Sequence, residues 1–232
     1  MTAVAELVIS EVFGPTFQGE GPSAGRRAGF VRVGRCPLSC TWCDTAYTWD
    51  WERFDPAVEL SHRAVHDVLA EIESMGVDMV VVTGGEPLAQ RSGLAALAAG
   101  LHDRGIRVEV ETSGVIAPEP AVVALVDQWN VSPKLANSGM PTERRIAADA
   151  LAALVATRRA IFKFVVVDVA DLVEIEALVA AHDLRPVWVM PEGTDAGAMA
   201  ERLRVLAEPV LARGWNLTPR LHVLVWGDRR GV

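Results

Sequence analysis

The chain has 232 residues, half of them hydrophobic and 22% charged, with a net charge of −8. That length and apolar content are enough for one large core, expected as a single domain over residues 1–232. The acidic balance argues against a general nucleic-acid binder, which would carry a basic face. No apolar run approaches the ~20 residues needed to span a bilayer, so no membrane association is expected.

In chain order, the stretch Met1 to Ser10 lacks the basic start and apolar core of a signal peptide, which points to the cytoplasm. Residues 30–34 read as a strand and run into a loop holding all three cysteines of the chain. From Val65 the apolar residues Val68, Leu69, Ile72 and Met75 share one helical face, with Ser61 as a candidate N-cap and Gly76 as a stop. Residues 79–83 form an apolar strand that ends at Gly84-Gly85. A helix near 94–103, a strand over 106–111, a helix near 120–127 and a strand ending at Ser132 follow. The rhythm continues with a helix near 143–156, a strand over 161–167, a further helix, a strand over 186–190 and a helix over roughly 196–212. Residues 221–226 close the chain as a strand or extended tail, because Leu221, Val223 and Val225 alternate.

Continuous apolar strands alternating with amphipathic helices imply a parallel sheet with right-handed crossovers. About six βα units fit, so the expected class is α/β, a partial (β/α)6-type barrel. In such folds the chemistry gathers at the strand C-terminal ends. Cys36, Gly84, Glu111, Ser132 and Pro191 all fall at or just past those ends.

Cys36, Cys40 and Cys43 lie within eight residues in a CxxxCxxC pattern. An odd number of cysteines at that spacing cannot make a disulfide framework and implies a reducing compartment. Thiolates suit soft metals and iron–sulfur clusters. Three thiolates on a four-iron cluster leave one iron open to a chelating substrate. The bland alternative is structural zinc, which needs a fourth ligand such as His62 or His66. The remaining histidines read as surface helix positions. Arg32 interrupts an apolar strand and calls for an anionic partner: a bound carboxylate or an internal salt bridge. Thr45 could put a hydroxyl on magnesium, or Thr45 or Asp44 could simply cap a helix. Lys134 could serve a site or sit on the surface, and Glu111 could reach a ligand or be a solvated loop acid.

The cysteine loop, with Gly84-Gly85-Glu86-Pro87 one βα unit later, resembles the radical S-adenosylmethionine superfamily, in which that second segment positions the methionine amino group. Glycines allow close backbone approach there, and Glu86 could accept hydrogen bonds from the ammonium. Phe13-Gly14-Pro15-Thr16-Phe17-Gln18-Gly19-Glu20-Gly21, Phe30-Val31-Arg32, Cys43-Asp44-Thr45 and the terminus from Leu224 to Val232 are similar to the 7-carboxy-7-deazaguanine synthase family.

That resemblance implies a lyase that contracts 6-carboxy-5,6,7,8-tetrahydropterin to 7-carboxy-7-deazaguanine with loss of ammonia, for queuosine-type 7-deazapurines. It implies a [4Fe–4S] cluster on Cys36, Cys40 and Cys43, S-adenosyl-L-methionine, and Mg2+ on Thr45. Phe17, Gln18, Gly19, Glu20, Arg32, Thr83 and Val232 would meet the pterin. Trp42, Cys43, Asp44, Gly85, Glu86, Ser132, Pro133 and Lys134 would meet S-adenosylmethionine. A reductant such as flavodoxin or ferredoxin and a homodimer are implied as partners. Two rivals share parts of the pattern: a glycyl-radical activase, which would lack the Phe17-Gln18-Gly19-Glu20 loop, and a zinc or cluster module without catalysis.

Overall fold

A computed structural model describes residues 5–232; the first four residues of the Met1–Ser10 stretch lie outside it. Among the described residues nine strands form one sheet: β1 (Glu6–Phe17), β2 (Arg27–Val33), β3 (Ser61–Ala64), β4 (Met79–Gly84), β5 (Arg107–Thr112), β6 (Gln128–Val131), β7 (Ala160–Val166), β8 (Val187–Pro191) and β9 (Asn216–Leu217). The helices are α1 (Pro56–Glu59), α2 (Val65–Met75), α3 (Arg91–His102), α4 (Pro120–Val123), α5 (Thr142–Arg145), α6 (Ala148–Ala156), α7 (Asp171–His182), α8 (Ala196–Leu211) and α9 (Leu221–Trp226). The strand order is β3-β1-β2-β4-β5-β6-β7-β8-β9. β1 pairs antiparallel with β2 and β3, whereas β2 and β4 to β9 run parallel. Among the described residues the edge strands β3 and β9 do not pair, so the barrel stays open and the expected partial (β/α)6 architecture holds. No helix of the described residues is long and apolar enough to cross a membrane.

Each strand presents two faces, and here they differ in chemistry. Val31, Val82, Val110, Trp129, Phe162 and Val189 face the helices and join one continuous core. The alternate residues Arg32, Thr83, Glu111, Asn130, Lys163 and Met190 line the lumen. β5 to β7 are therefore not the continuous apolar strands expected from sequence. Their lumen face is polar because it builds the site. Deeper in the lumen, the fully buried Glu109 accepts from Ser23 Oγ at 2.6 Å, Arg107 Nε at 3.1 Å and Asn130 Nδ2 at 3.1 Å, so its charge is compensated.

Several local expectations are corrected. Ser61 is no N-cap: it opens β3 and pairs with Ile9, and α2 starts behind Ala64 without a side-chain cap. Gly76 does end α2, with a left-handed φ of 59°. The helix expected near 143–156 is split at residues 146–147. The buried Arg145 at the end of α5 donates to the carbonyls of Lys134 and Met140, pinning the loop between β6 and α5. The helix expected near 120–127 is a single turn, α4. The long strand β1 has no counterpart among the elements expected from sequence. Residues 221–226 form the helix α9 rather than a strand. A six-residue apolar run is too short for periodicity to separate the two, and the N–H of Leu221 is claimed by the Gly19 carbonyl at 2.8 Å instead of a strand partner.

Candidate active site

The open end of the lumen is a cleft of about 1300 Å³, mouth included. Cys36, Cys40 and Cys43 all line it, just past the end of β2.

The cysteine loop packs as a small apolar unit in which Leu38, Cys40 and Met140 are buried, with Trp42 and Val115 against them. Burial pushes the Cys36 thiol up to about 12 and raises that of Cys40. Such thiols become thiolates only beside a strong positive centre, which an iron cluster provides. Trp49 Nε1 donates to Cys43 Sγ at 3.3 Å, a hydrogen bond that a thiolate accepts better than a thiol. All three cysteines are free, and among the described residues no group of three His, Cys, Asp or Glu side chains could hold a single metal ion. Neither histidine offered as the fourth ligand of zinc lines the cleft with the cysteines. His62 sits exposed on β3, and His66 is exposed on α2 beside Asp67. The donor set fits a cluster held by three thiolates.

Gly84-Gly85 ends β4 directly against the end of β2. A Cβ on Gly85 would overlap the Arg35 carbonyl and one on Gly84 the Val33 backbone, and Gly84 also has φ of 116°. Gly85 lines the cleft, but Glu86 does not, contrary to expectation. Fully buried, Glu86 accepts from Thr112 Oγ1 (2.7 Å), Ser113 N (2.9 Å), Ser113 Oγ (2.5 Å) and Leu88 N (3.2 Å). Four donors saturate a carboxylate, so Glu86 clamps the β4 and β5 ends together and has no acceptor left for an ammonium. Pro133 likewise stays out of the lining. Its neighbours Ser132 and Lys134 are in it: Lys134 Nζ donates to Ser132 Oγ at 3.0 Å and lies 5.6 Å over the Trp42 ring. Trp42 in turn donates to Asn137. Lys134 is thus part of the cleft wall and not a free surface lysine.

Facing this wall is a network of charges. Lys163 on β7 is bonded to Glu20 and lies 3.5 Å from Glu111, and Arg220 bonds Glu20 at 3.2 Å and also Asp44. Burial would raise the Glu20 pKa, but Lys163 and Arg220 more than reverse this and hold it well below the carboxylate range. Lys163 is raised in spite of its burial by Glu111 and Glu20. Glu111 belongs to β5 and is no solvated loop acid: it accepts from Gln18 Nε2 at 3.2 Å and Thr83 Oγ1 at 2.7 Å. Gly19 lies so close to His222 that a Cβ would overlap the ring, and burial lowers the His222 pKa from its ordinary value. His222 therefore corrects the reading of the remaining histidines as surface positions.

Arg32 takes the internal option in part: its Nε donates to Glu11 Oε2 at 2.8 Å, and it lies 5.5 Å over the Phe13 ring while lining the cleft. Thr45 Oγ1 is 3.7 Å from Cys43 Sγ, and Thr45 provides no side-chain cap to the short turn after it. Phe17 stacks on Trp226 with centroids 6.1 Å apart, and Val232 reaches the cleft. Lys163, Arg220 and His222 were missed from sequence. Lys163 carried the same signal as Arg32, a cation inside an apolar strand; Arg220 and His222 carried none, because only the fold makes Glu20, Asp44 and Gly19 their neighbours.

The sequence profile of the Radical SAM superfamily matches residues 30–131. A 7-carboxy-7-deazaguanine synthase of Pyrobaculum aerophilum is 39% identical over the whole of both chains. The enzyme of the same name from Halobacterium salinarum is 37% identical over 96% of this chain and 91% of its own. The crystal structure of QueE from Escherichia coli superposes with a TM-score of 0.71 at 28% identity, covering 94% of this chain and 95% of that one. With its three-cysteine loop, Gly-Gly strand end and full-length likeness, the chain belongs to the 7-carboxy-7-deazaguanine synthase family of radical S-adenosylmethionine enzymes.

Proposed function

We propose that this protein contracts 6-carboxy-5,6,7,8-tetrahydropterin to 7-carboxy-7-deazaguanine with release of ammonia, as a carbon–nitrogen lyase in 7-deazapurine biosynthesis. The observation that carries the reading is the pairing, across one cleft, of a three-thiol loop with the partly buried Arg32 and two partly buried carboxylates, Glu20 and Glu111. When bound, the [4Fe–4S] cluster and S-adenosylmethionine supply one-electron, hydrogen-abstracting chemistry. Cys36, Cys40 and Cys43 hold the cluster. Gly85, Trp42, Asp44, Ser132 and Lys134 form the S-adenosylmethionine side of the cleft, while Glu86 acts behind it as the clamp of the strand ends.

The substrate is an anion at one end and a donor-rich amino-pyrimidine at the other, and the lining offers both complements. Arg32 presents a planar fork to the carboxylate. Glu20, kept ionised by Lys163 and Arg220, and Glu111 accept from the ring N–H groups. Gln18 and Thr83 orient Glu111, Gly19 leaves room for His222, Phe17 covers the ring, and Val232 closes the pocket. Thr45 offers a hydroxyl for Mg2+, an ion that keeps most of its ligands as water and substrate oxygens and so needs few from the chain. Residues 1–232 act as one unit, in the cytoplasm, as a homodimer reduced by a flavodoxin or ferredoxin. Anaerobic incubation of the reconstituted protein with the carboxy-tetrahydropterin, S-adenosylmethionine and a reductant tests the reading. The deazaguanine product appears by mass spectrometry, and 5′-deoxyadenosine without it would refute the substrate.

A further inference from the structure

The pairing of β1 with β2 contains a slip with a consequence. Ile9 is opposite Val33, yet Glu11 is opposite Arg32. In an unbroken antiparallel register Ser10 would face Arg32, and Glu11 would face Val31 on the helix side of the sheet. The bulge inserts one residue in β1 and turns Glu11 onto the lumen side beside Arg32. It has a cost elsewhere: the hydroxyl of Ser10 is left buried without a hydrogen-bond partner.

Three donors converge on the Glu11 carboxylate. Arg32 Nε at 2.8 Å and Tyr47 OH at 2.9 Å share Oε2, and Arg230 Nε takes Oε1 at 2.6 Å. Arg230 also lies 3.8 Å above the Tyr47 ring and 2.8 Å from Glu59. Beyond Gly227, Arg230 makes the side-chain hydrogen bonding that the tail has among the described residues. Two residues later comes Val232, in the cleft. Because Glu11 engages Arg32 through Nε, both Nη groups of Arg32 are left as donors for a ligand.

We infer that Glu11 is a positioning residue that couples the two ends of the substrate pocket, holding Arg32 and, through Arg230 as a latch, the C-terminal tail on one carboxylate. Docking the tail and orienting Arg32 then become one event. The inference rests on the reading of Arg32 and Val232 as substrate contacts.

The test uses reconstituted holoenzyme carrying Arg230→Ala, Glu11→Gln, both together, or Arg230→Lys. Anaerobic kinetics with the carboxy-tetrahydropterin are paired with hydrogen exchange of the last six residues read by mass spectrometry. Each single variant raises KM at least tenfold with kcat changed less than threefold, and exchange of the tail accelerates in both. The double variant is no worse than the poorer single one, because both break one linkage. Arg230→Lys, which keeps a cation but loses the fork and the stacking, recovers part of the KM. Additive effects in the double variant, or a wild-type KM in Arg230→Ala, overturn the coupling. Arg230 is half-exposed, so its variants keep the test open if Glu11→Gln does not fold. Exchange reads the latch without substrate: a tail as protected in Glu11→Gln as in the wild type overturns it. An unchanged KM in Arg32→Ala instead overturns the substrate assignment, leaving the exchange result standing.

Discussion

Replacing Lys163 by Met is the sharpest test of the charge network. Lys163 is 4% exposed and bridges Glu20 and Glu111, while Met keeps the length and apolar stem. Removing one partner of a buried ion pair typically costs about 3–5 kcal/mol because a charge is left uncompensated. Here Arg220 still holds Glu20 at 3.2 Å, which puts the loss at the lower end, about 3 kcal/mol. For a chain of this size that is a fall in Tm of roughly 6–12 °C. The pH dependence follows from the shifts. The folded pKa of Glu20 is depressed, so its contribution is present above its ordinary value of 4.5 and lost as pH falls towards the folded value. That of Lys163 is raised, so its contribution is present below its ordinary 10.5 and lost only at higher pH. The difference in stability between wild type and variant is therefore largest between pH 5 and 10 and narrows below about pH 4.5. Calorimetry or denaturant melts of the anaerobic protein at pH 7 and pH 4 measure it. A Tm change under about 2 °C at pH 7, or a difference that does not shrink on acidification, would refute the reasoning.

Cys36→Ala, Cys40→Ala and Cys43→Ala each lose the cluster, since the sequence holds no spare thiol; four irons retained in any of them by iron counting would reassign the ligands. Arg32→Ala loses about 2 kcal/mol in kcat/KM for ring contraction, the lower end of the range for truncating a charge-assisted contact because Arg32 is only partly buried, yet still forms 5′-deoxyadenosine slowly without product. Product at the wild-type rate would leave Arg32 with only its Glu11 salt bridge as a role. Deleting Gly231-Val232, or adding a C-terminal tag, raises the pterin KM while iron content stays constant; an unchanged KM in a tagged protein would make the terminus a bystander.

Much of this protein can be read from local pattern. The βα alternation predicts the open parallel sheet because each strand and helix must bury an apolar face wherever it lies in the fold. CxxxCxxC and the Gly84-Gly85 pair are legible because their chemistry depends on neighbours in sequence: three thiolates on one loop, and two residues without Cβ where β4 meets β2. What escaped is what depends on distance in the chain. Glu86 could not be told apart from a ligand until Thr112 and Ser113, 26 and 27 residues away, were seen to fill its carboxylate. Lys163 becomes part of the site only because β7 lies across the lumen from residue 20, 143 positions earlier. The bulge at Ser10 is a matter of register, which the composition of β1 does not encode, and it alone decides whether Glu11 faces the helices or Arg32. The sequence thus determined the fold class and the cluster loop through short-range constraints. The charge partners of the substrate half, Glu11 for Arg32 and Lys163 and Arg220 for Glu20 and Glu111, were decided by the tertiary structure, because a buried charge is compensated by whichever group the packing brings near it.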